Sequence, residues 1–153
     1  MCLCSSSLSA RAAAGADLLL PDGGFYRGAI NAQNQRHGVG GVEYRADGFE
    51  SSFGQWHDGK LHGNGKQILP SGDSYEGDFV GGQRSGRGRY TWASDSVYEG
   101  EWGAGKRSGM GLEWNKNGTI QKCGRWMNSQ LVEQRPVPRT KIPFGALLSE
   151  AGE

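Results

Sequence analysis

The sequence is short of what a layered globular domain is built from. Only 35% of its 153 residues are hydrophobic, and many of these are aromatic, so a large core packed under helices is not expected. No apolar run approaches the ~20 residues that cross a bilayer, and Leu18-Leu19-Leu20 is too short for a signal-peptide core, so a soluble chain is expected. The three cysteines, Cys2, Cys4 and Cys123, form no CxxC pair, which argues against a disulfide framework and a structural zinc site and makes a reducing compartment the default. Charge is balanced at +1, which speaks against a dedicated nucleic-acid binder. Glycine is what the chain has in excess: 27 residues against a usual ~7%, with five prolines and no collagen-like period. Such a chain turns often.

The glycines recur with aromatic partners. Tyr75-Glu76-Gly77-Asp78-Phe79 returns 23 positions later as Tyr98-Glu99-Gly100-Glu101-Trp102 and stands 23 positions earlier as Ser52-Phe53-Gly54-Gln55-Trp56. Weaker copies flank them, Tyr26-Arg27-Gly28-Ala29-Ile30 before and Lys122-Cys123-Gly124-Arg125-Trp126 after. The first four copies each lead through a turn to a second signature: Gly38-x-Gly40, Gly63-x-Gly65, Gly86-x-Gly88 and Gly109-x-Gly111. A further turn follows each, at Asp47-Gly48, Ser71-Gly72, Ser94-Asp95 and Asn117-Gly118. Strand, turn, strand, turn is the economical reading.

This pattern, over roughly Phe25 to Asn128, resembles the MORN (membrane occupation and recognition nexus) repeat family. The resemblance implies an all-β fold, a short twisted solenoid of consecutive antiparallel β-hairpins. Three segments are expected: 1–22 as a disordered or targeting N-terminal stretch, 23–128 as an array of about four and a half repeats, and 129–153 as a proline-containing linker with a capping or docking end. The copies depart from the pattern in three places. The first has an extra residue in its turn (Asn31 to His37), the second has Ser52 where an aromatic is expected, and the fifth is half a repeat.

Period-2 alternation places Tyr75, Gly77 and Phe79 on one face and Glu76 and Asp78 on the other, and in the return strand Gly86, Gly88, Tyr90 and Trp92 oppose Arg87 and Arg89. One face is then aromatic and glycine-rich, the other charge-paired. A lone hairpin is marginal in water, so each must lean on the next. Met110, Leu112 and Trp114 carry apolar groups on the opposite parity, and the tail is expected to fold back over them: Pro136-Val137-Pro138 as a spacer, then Ile142, Phe144, Leu147 and Leu148 on a short helix.

Several motifs are better explained by the repeat than by chemistry. Gly100 to Lys106 matches the start of a phosphate loop, but Arg107 replaces the magnesium-binding hydroxyl and the fragment recurs from Gly54 to Lys60. His37, His57 and His62 fall in or beside turns, and no nucleophile, carboxylate pair or third ligand converges on them at readable spacing, so neither catalysis nor a metal or other cofactor is expected. The acid-free, serine-rich start reads as disorder, with a chloroplast transit peptide or palmitoylation of Cys2 and Cys4 as the alternatives.

The functional expectation is a non-catalytic scaffold or adaptor that binds a helix or extended peptide in an aromatic groove lined by Trp56, Tyr75, Phe79, Trp92, Tyr98 and Trp102. The family resemblance implies a cytoplasmic setting in a cytoskeletal or ciliary, axonemal assembly. The alternative is a peripheral membrane adaptor holding anionic phospholipid through Lys60, Arg84, Arg87, Lys106 and Arg107. Nucleic acid is not expected as a partner.

Overall fold

The computed structural model describes residues 16–21, 23–44 and 50–137. Residues 1–15 and 138–153, which make up most of the segments expected to carry targeting, palmitoylation or a helical cap, and the Asp47-Gly48 turn lie outside the described residues. Within them every element is a strand: β1 (Ala16–Leu19), β2 (Phe25–Ile30), β3 (Arg36–Tyr44), β4 (Glu50–His57), β5 (Lys60–Ile68), β6 (Ser74–Val80), β7 (Gln83–Thr91), β8 (Val97–Gly103), β9 (Lys106–Trp114), β10 (Ile120–Met127) and β11 (Gln130–Gln134). All join one antiparallel sheet in sequence order. Two edge strands extend it past the limits expected from the repeat, β1 inside the segment 1–22 and β11 inside 129–153.

Two kinds of turn alternate. At one end of the hairpins Asp58-Gly59, Gly81-Gly82, Ala104-Gly105 and Asn128-Ser129 all have positive φ, the geometry of the two-residue turn whose twist matches that of the strands it joins. Each turn also donates a backbone N–H to the hairpin before it: Gly59 to Arg36, Gly82 to Leu61, Gly105 to Arg84 and Ser129 to Arg107, at 2.8–3.0 Å. At the other end the turns are longer, closed by pairs such as Leu69 N–H to the Asp73 carbonyl and Gly72 N–H to the Leu69 carbonyl. The first hairpin uses the longer form, Asn31 to Gln35, on the short-turn side, which accounts for its extra residue.

The strand pairing aligns the repeat across the sheet. Gly28, Gly40, Gly54, Gly65, Gly77, Gly88, Gly100, Gly111 and Gly124 are successive cross-strand partners from β2 to β10. Two residues along each strand, on the same face, Tyr26, Val42, Ser52, Gln67, Tyr75, Tyr90, Tyr98 and Glu113 are also successive partners. The tyrosine rings lie over the glycine row. A Cβ on Gly28 would stand 2.5 Å from the Tyr26 hydroxyl oxygen, and one on Gly100 would stand 2.6 Å from the Tyr98 ring, so the spacing of the glycines is a steric requirement.

Beyond the glycine row each hairpin carries a β-bulge, as between Gly77 and Asp78 and between Gly100 and Glu101. The first glycine of each Gly-x-Gly, Gly38, Gly63, Gly86 and Gly109, sits there with positive φ. The bulge frees a carbonyl that the tyrosine hydroxyl then reaches: Tyr26 donates to Ala29 at 2.6 Å, Tyr75 to Asp78 at 3.0 Å and Tyr98 to Glu101 at 3.1 Å.

The opposite face carries the expected charge pairing, with Lys66, Glu76, Arg89 and Glu99 as consecutive partners and ion pairs of 3.6 Å at Lys66–Glu76 and Arg89–Glu99. Exposed pairs of this kind add at most ~1 kcal/mol each and chiefly hold register. At its two ends this face is apolar. Leu19, Phe25, Val39 and Phe53 stay exposed around a shallow hollow of about 960 Å³. Leu112, Trp114 and Cys123 are buried with Val97 and Ile120 packed against them. Burial pushes the Cys123 thiol pKa up, so this thiol is a packing group.

Candidate functional site

The aromatic face is the one feature the repeat builds continuously, and it is assembled by rings from neighbouring hairpins. Tyr26 meets Trp56, Tyr75 meets Trp102 and Tyr98 meets Trp126, each edge to face with centroids 5.1–5.9 Å apart. Within a hairpin Tyr75 meets Phe79 and Tyr98 meets Trp102 in the same way. Such pairs contribute about 0.5–1.5 kcal/mol beyond their area. Each tryptophan also reaches back to the preceding hairpin, its indole N–H donating to a glycine carbonyl: Trp56 to Gly40 at 2.9 Å, Trp102 to Gly88 at 3.1 Å and Trp126 to Gly111 at 3.2 Å. Phe79 occupies the equivalent place without that bond. Ser52 leaves Phe79 no tyrosine of the preceding copy to meet, and the ring instead edges over Gly65.

The six rings expected to line a groove are therefore gathered on one face, but five of them are its interior. Tyr75 and Tyr98 are fully buried, Phe79 is 2% exposed, and Trp56 and Trp102 are below 9%. Trp92 alone is half-buried, packed against Tyr90 at 5.0 Å. Alternation assigns a ring to a face but does not tell whether its neighbours cover it.

What covers them was not foreseen. Opposite Ile30, Trp56, Phe79, Trp102 and Trp126, the last residue of each copy's first signature, the pairing places Arg36, Leu61, Arg84, Arg107 and Leu131, one per copy. Arg36 lies 4.5 Å over the Trp56 ring; Arg84 lies over Tyr75, Tyr90 and Trp102 at 4.9–5.8 Å; Arg107 lies over Trp126 at 4.4 Å and over Tyr98 and Trp92 at 5.4–5.6 Å. Each is also held by hydrogen bonds: Arg36 donates to the Gly59 carbonyl, Arg84 to Gln67, and Arg107 to the Ser129 carbonyl and Glu113. Glu113, mostly buried in the tyrosine row, bonds Arg107 and Lys122, both at 2.8 Å. At the other side of the face Tyr90 donates to Asp73, a bond that holds the carboxyl pKa below its ordinary value.

Burial raises the pKa of the Tyr26, Tyr75, Tyr90 and Tyr98 hydroxyls above the ordinary value near 10. Below pH 10 both folded and unfolded chains keep these protons, and the stabilisation is complete. As pH rises past 10 the unfolded chain ionises first, so stability falls. In an alkaline titration followed by phenolate absorbance, these four tyrosines are expected to ionise together with loss of near-ultraviolet circular dichroism. Separate, early ionisation of any of them would contradict the packing described.

The residues expected to hold phospholipid divide. Arg84 and Arg107 lie over the rings, whereas Lys60 and Lys106 stand exposed directly after the short turns, and exposed Arg87 sits at a bulge where its N–H donates to Asp78. The three histidines, expected to fall in or beside turns with no third ligand converging on them, are brought close: the rings of His37 and His57 are 5.1 Å apart, those of His57 and His62 5.8 Å, and Asp58 lies beside His37 and His57.

The family model for the MORN repeat matches residues 53–74, 75–97 and 98–120 in three consecutive units, each beginning at the first strand of a hairpin pair. No curated protein matches the chain. MORN repeats are in general non-enzymatic scaffold modules that bind proteins or membranes. With the glycine row, the stacked aromatics and the hairpin register all following these units, residues 53–120 are three consecutive MORN repeats.

Proposed function

We propose that this chain is a non-catalytic scaffold that holds a protein segment against its aromatic face, within a cytoskeletal or ciliary assembly. The observation that carries the reading is the row of guanidinium groups lying over the rings. Because Trp56, Tyr75, Phe79, Tyr98 and Trp102 form the floor, a partner meets Arg36, Arg84 and Arg107 together with half-buried Trp92, Ile30 and Leu69. Planar cations held over aromatic rings and set among apolar side chains suit a helix or extended peptide that carries carboxylates between apolar residues. The rings supply rigidity, and the arginines and Trp92 supply contact.

A phospholipid-binding reading rests on Lys60 and Lys106, which project from equivalent turns at one end of the sheet. Salt separates the two readings, since attraction through exposed lysines fades with ionic strength. Affinity capture from native tissue, washed at low and high salt, is expected to retain a discrete protein. Arg36→Gln/Arg84→Gln should weaken that capture by at least ~10-fold at both salts, equivalent to about 1.4 kcal/mol. Lys60→Gln/Lys106→Gln should leave it intact. Capture unaffected by the arginine changes, with cosedimentation on phosphatidylserine vesicles lost in the lysine variant, would replace the protein reading with the membrane one.

A further inference from the structure

We infer that His37, His57 and Asp58 form a binding site for a divalent transition-metal ion of the zinc class. The ligand atoms come from two neighbouring hairpins: His37 from β3, and His57 and Asp58 from the end of β4 and the turn that follows. They all lie within 4.8 Å of one another. His37 Nδ1 is 3.5 Å from one Asp58 carboxylate oxygen, and His57 Nδ1 is 3.3 Å from the other. Bonds of about 2.0–2.1 Å arranged tetrahedrally put neighbouring ligand atoms roughly 3.3–3.4 Å apart, so each imidazole stands about one such edge from its own carboxylate oxygen, and an ion between the imidazoles takes one of the two oxygens after a rotation of the Asp58 side chain.

A second observation points the same way. His37 Nδ1 is shielded from solvent and has no hydrogen-bond partner, although it faces a carboxylate. A metal ion between the two supplies the missing partner. The carboxylate is held from behind, since Asn31 Nδ2 donates to Asp58 Oδ1 at 2.9 Å, the outer contact by which ligating carboxylates are commonly oriented. The backbone that carries it is fixed too. Asp58 has φ 46° in the short turn, and the next residue, Gly59, donates its N–H to Arg36 one hairpin back.

The ligand chemistry, two imidazoles and one carboxylate, favours zinc among the available divalent ions over magnesium or calcium, which prefer all-oxygen sets. The fourth position falls to water or to His62, the chain's third imidazole. Placed there, the ion joins the first copy to the second, the copy in which Ser52 interrupts the tyrosine series. Its role is structural: a clasp at the less regular end of the array.

The test is calorimetric titration of the whole chain with Zn²⁺, in a Cys2→Ser/Cys4→Ser background so that those thiols do not compete. One ion is expected per chain, with micromolar or tighter affinity and a rise in Tm that a chelator reverses. Co²⁺ at the same site should give the visible spectrum of nitrogen and oxygen ligands without a thiolate charge-transfer band. His57→Ala and His37→Ala/His57→Ala should lose the binding while keeping the far-ultraviolet circular dichroism of the parent. No binding at micromolar Zn²⁺, or affinity unchanged in the double variant, overturns the site.

Discussion

Gly77→Ala is expected to cost at least ~3 kcal/mol, the upper end of ordinary overpacking, and to melt the middle of the array. A methyl group there would press on the Arg87 carbonyl oxygen and Gly88 Cα, and would stand 2.8 Å from the Tyr75 hydroxyl oxygen. Two of these obstacles are backbone of the paired strand, and the third is tied by a hydrogen bond to Asp78, so no flexible side chain can yield. Gly77 does not have positive φ, and space alone excludes the side chain. Gly105→Ala is the useful contrast. It has φ 79° with nothing within 4 Å, so it should cost only the ~1–2 kcal/mol of a left-handed backbone. Urea denaturation of the two variants separates the effects, and near-equal losses would refute the steric account of the glycine row.

Trp102→Ala is expected to cost about 3–5 kcal/mol. Its ring lies between Tyr75 of the preceding copy and Tyr98 of its own, at 5.1 and 5.4 Å, and is covered by Arg84. Because each hairpin is supported mainly by its neighbours, the loss should appear as reduced hydrogen-exchange protection on both sides of the third-to-fourth copy boundary. Trp102→Phe keeps the ring contacts and removes the indole N–H bond to Gly88, at a cost of about 1–3 kcal/mol for a buried acceptor left unpaired. Phe79 shows that the array tolerates this arrangement at one position. A Trp102→Ala variant that unfolds within 1 kcal/mol of the parent would mean that backbone pairing, with little help from the rings, joins the copies.

The hairpin series was legible because its two strongest constraints are local. A ring over a glycine and a two-residue turn both write themselves into the sequence at fixed offsets, as Tyr98, Gly100 and Ala104-Gly105 show. The charged face was readable for the same reason, since Lys66, Glu76, Arg89 and Glu99 alternate with the core residues. Arg84 and Arg107 were read as a basic rim because alternation gives a direction and says nothing of what a long side chain meets once the next hairpin is in place. The edge strands carry too little of the motif to be seen: Ala16–Leu19 has no glycine or aromatic residue, and β11 keeps only Leu131 in the place of the covering arginine. The meeting of His37 with His57 and Asp58 depends on two turns of different length lying side by side, which spacing along the chain does not express.

The sheet also sets how the molecule is made. Each strand pairs only with the strands before and after it in sequence, so every stabilising contact closes a loop of a few tens of residues. Low contact order of this kind favours fast folding and reduces the time for which unpaired strand edges stand open, despite an all-β composition that ordinarily folds slowly. A ribosome releasing this chain delivers each hairpin directly onto the one already formed. By the same logic, the 23-residue unit is the natural quantum of length change: removing residues 75–97 cuts and rejoins the chain at equivalent register positions, bringing Gln67 beside Tyr98 where Tyr75 stood.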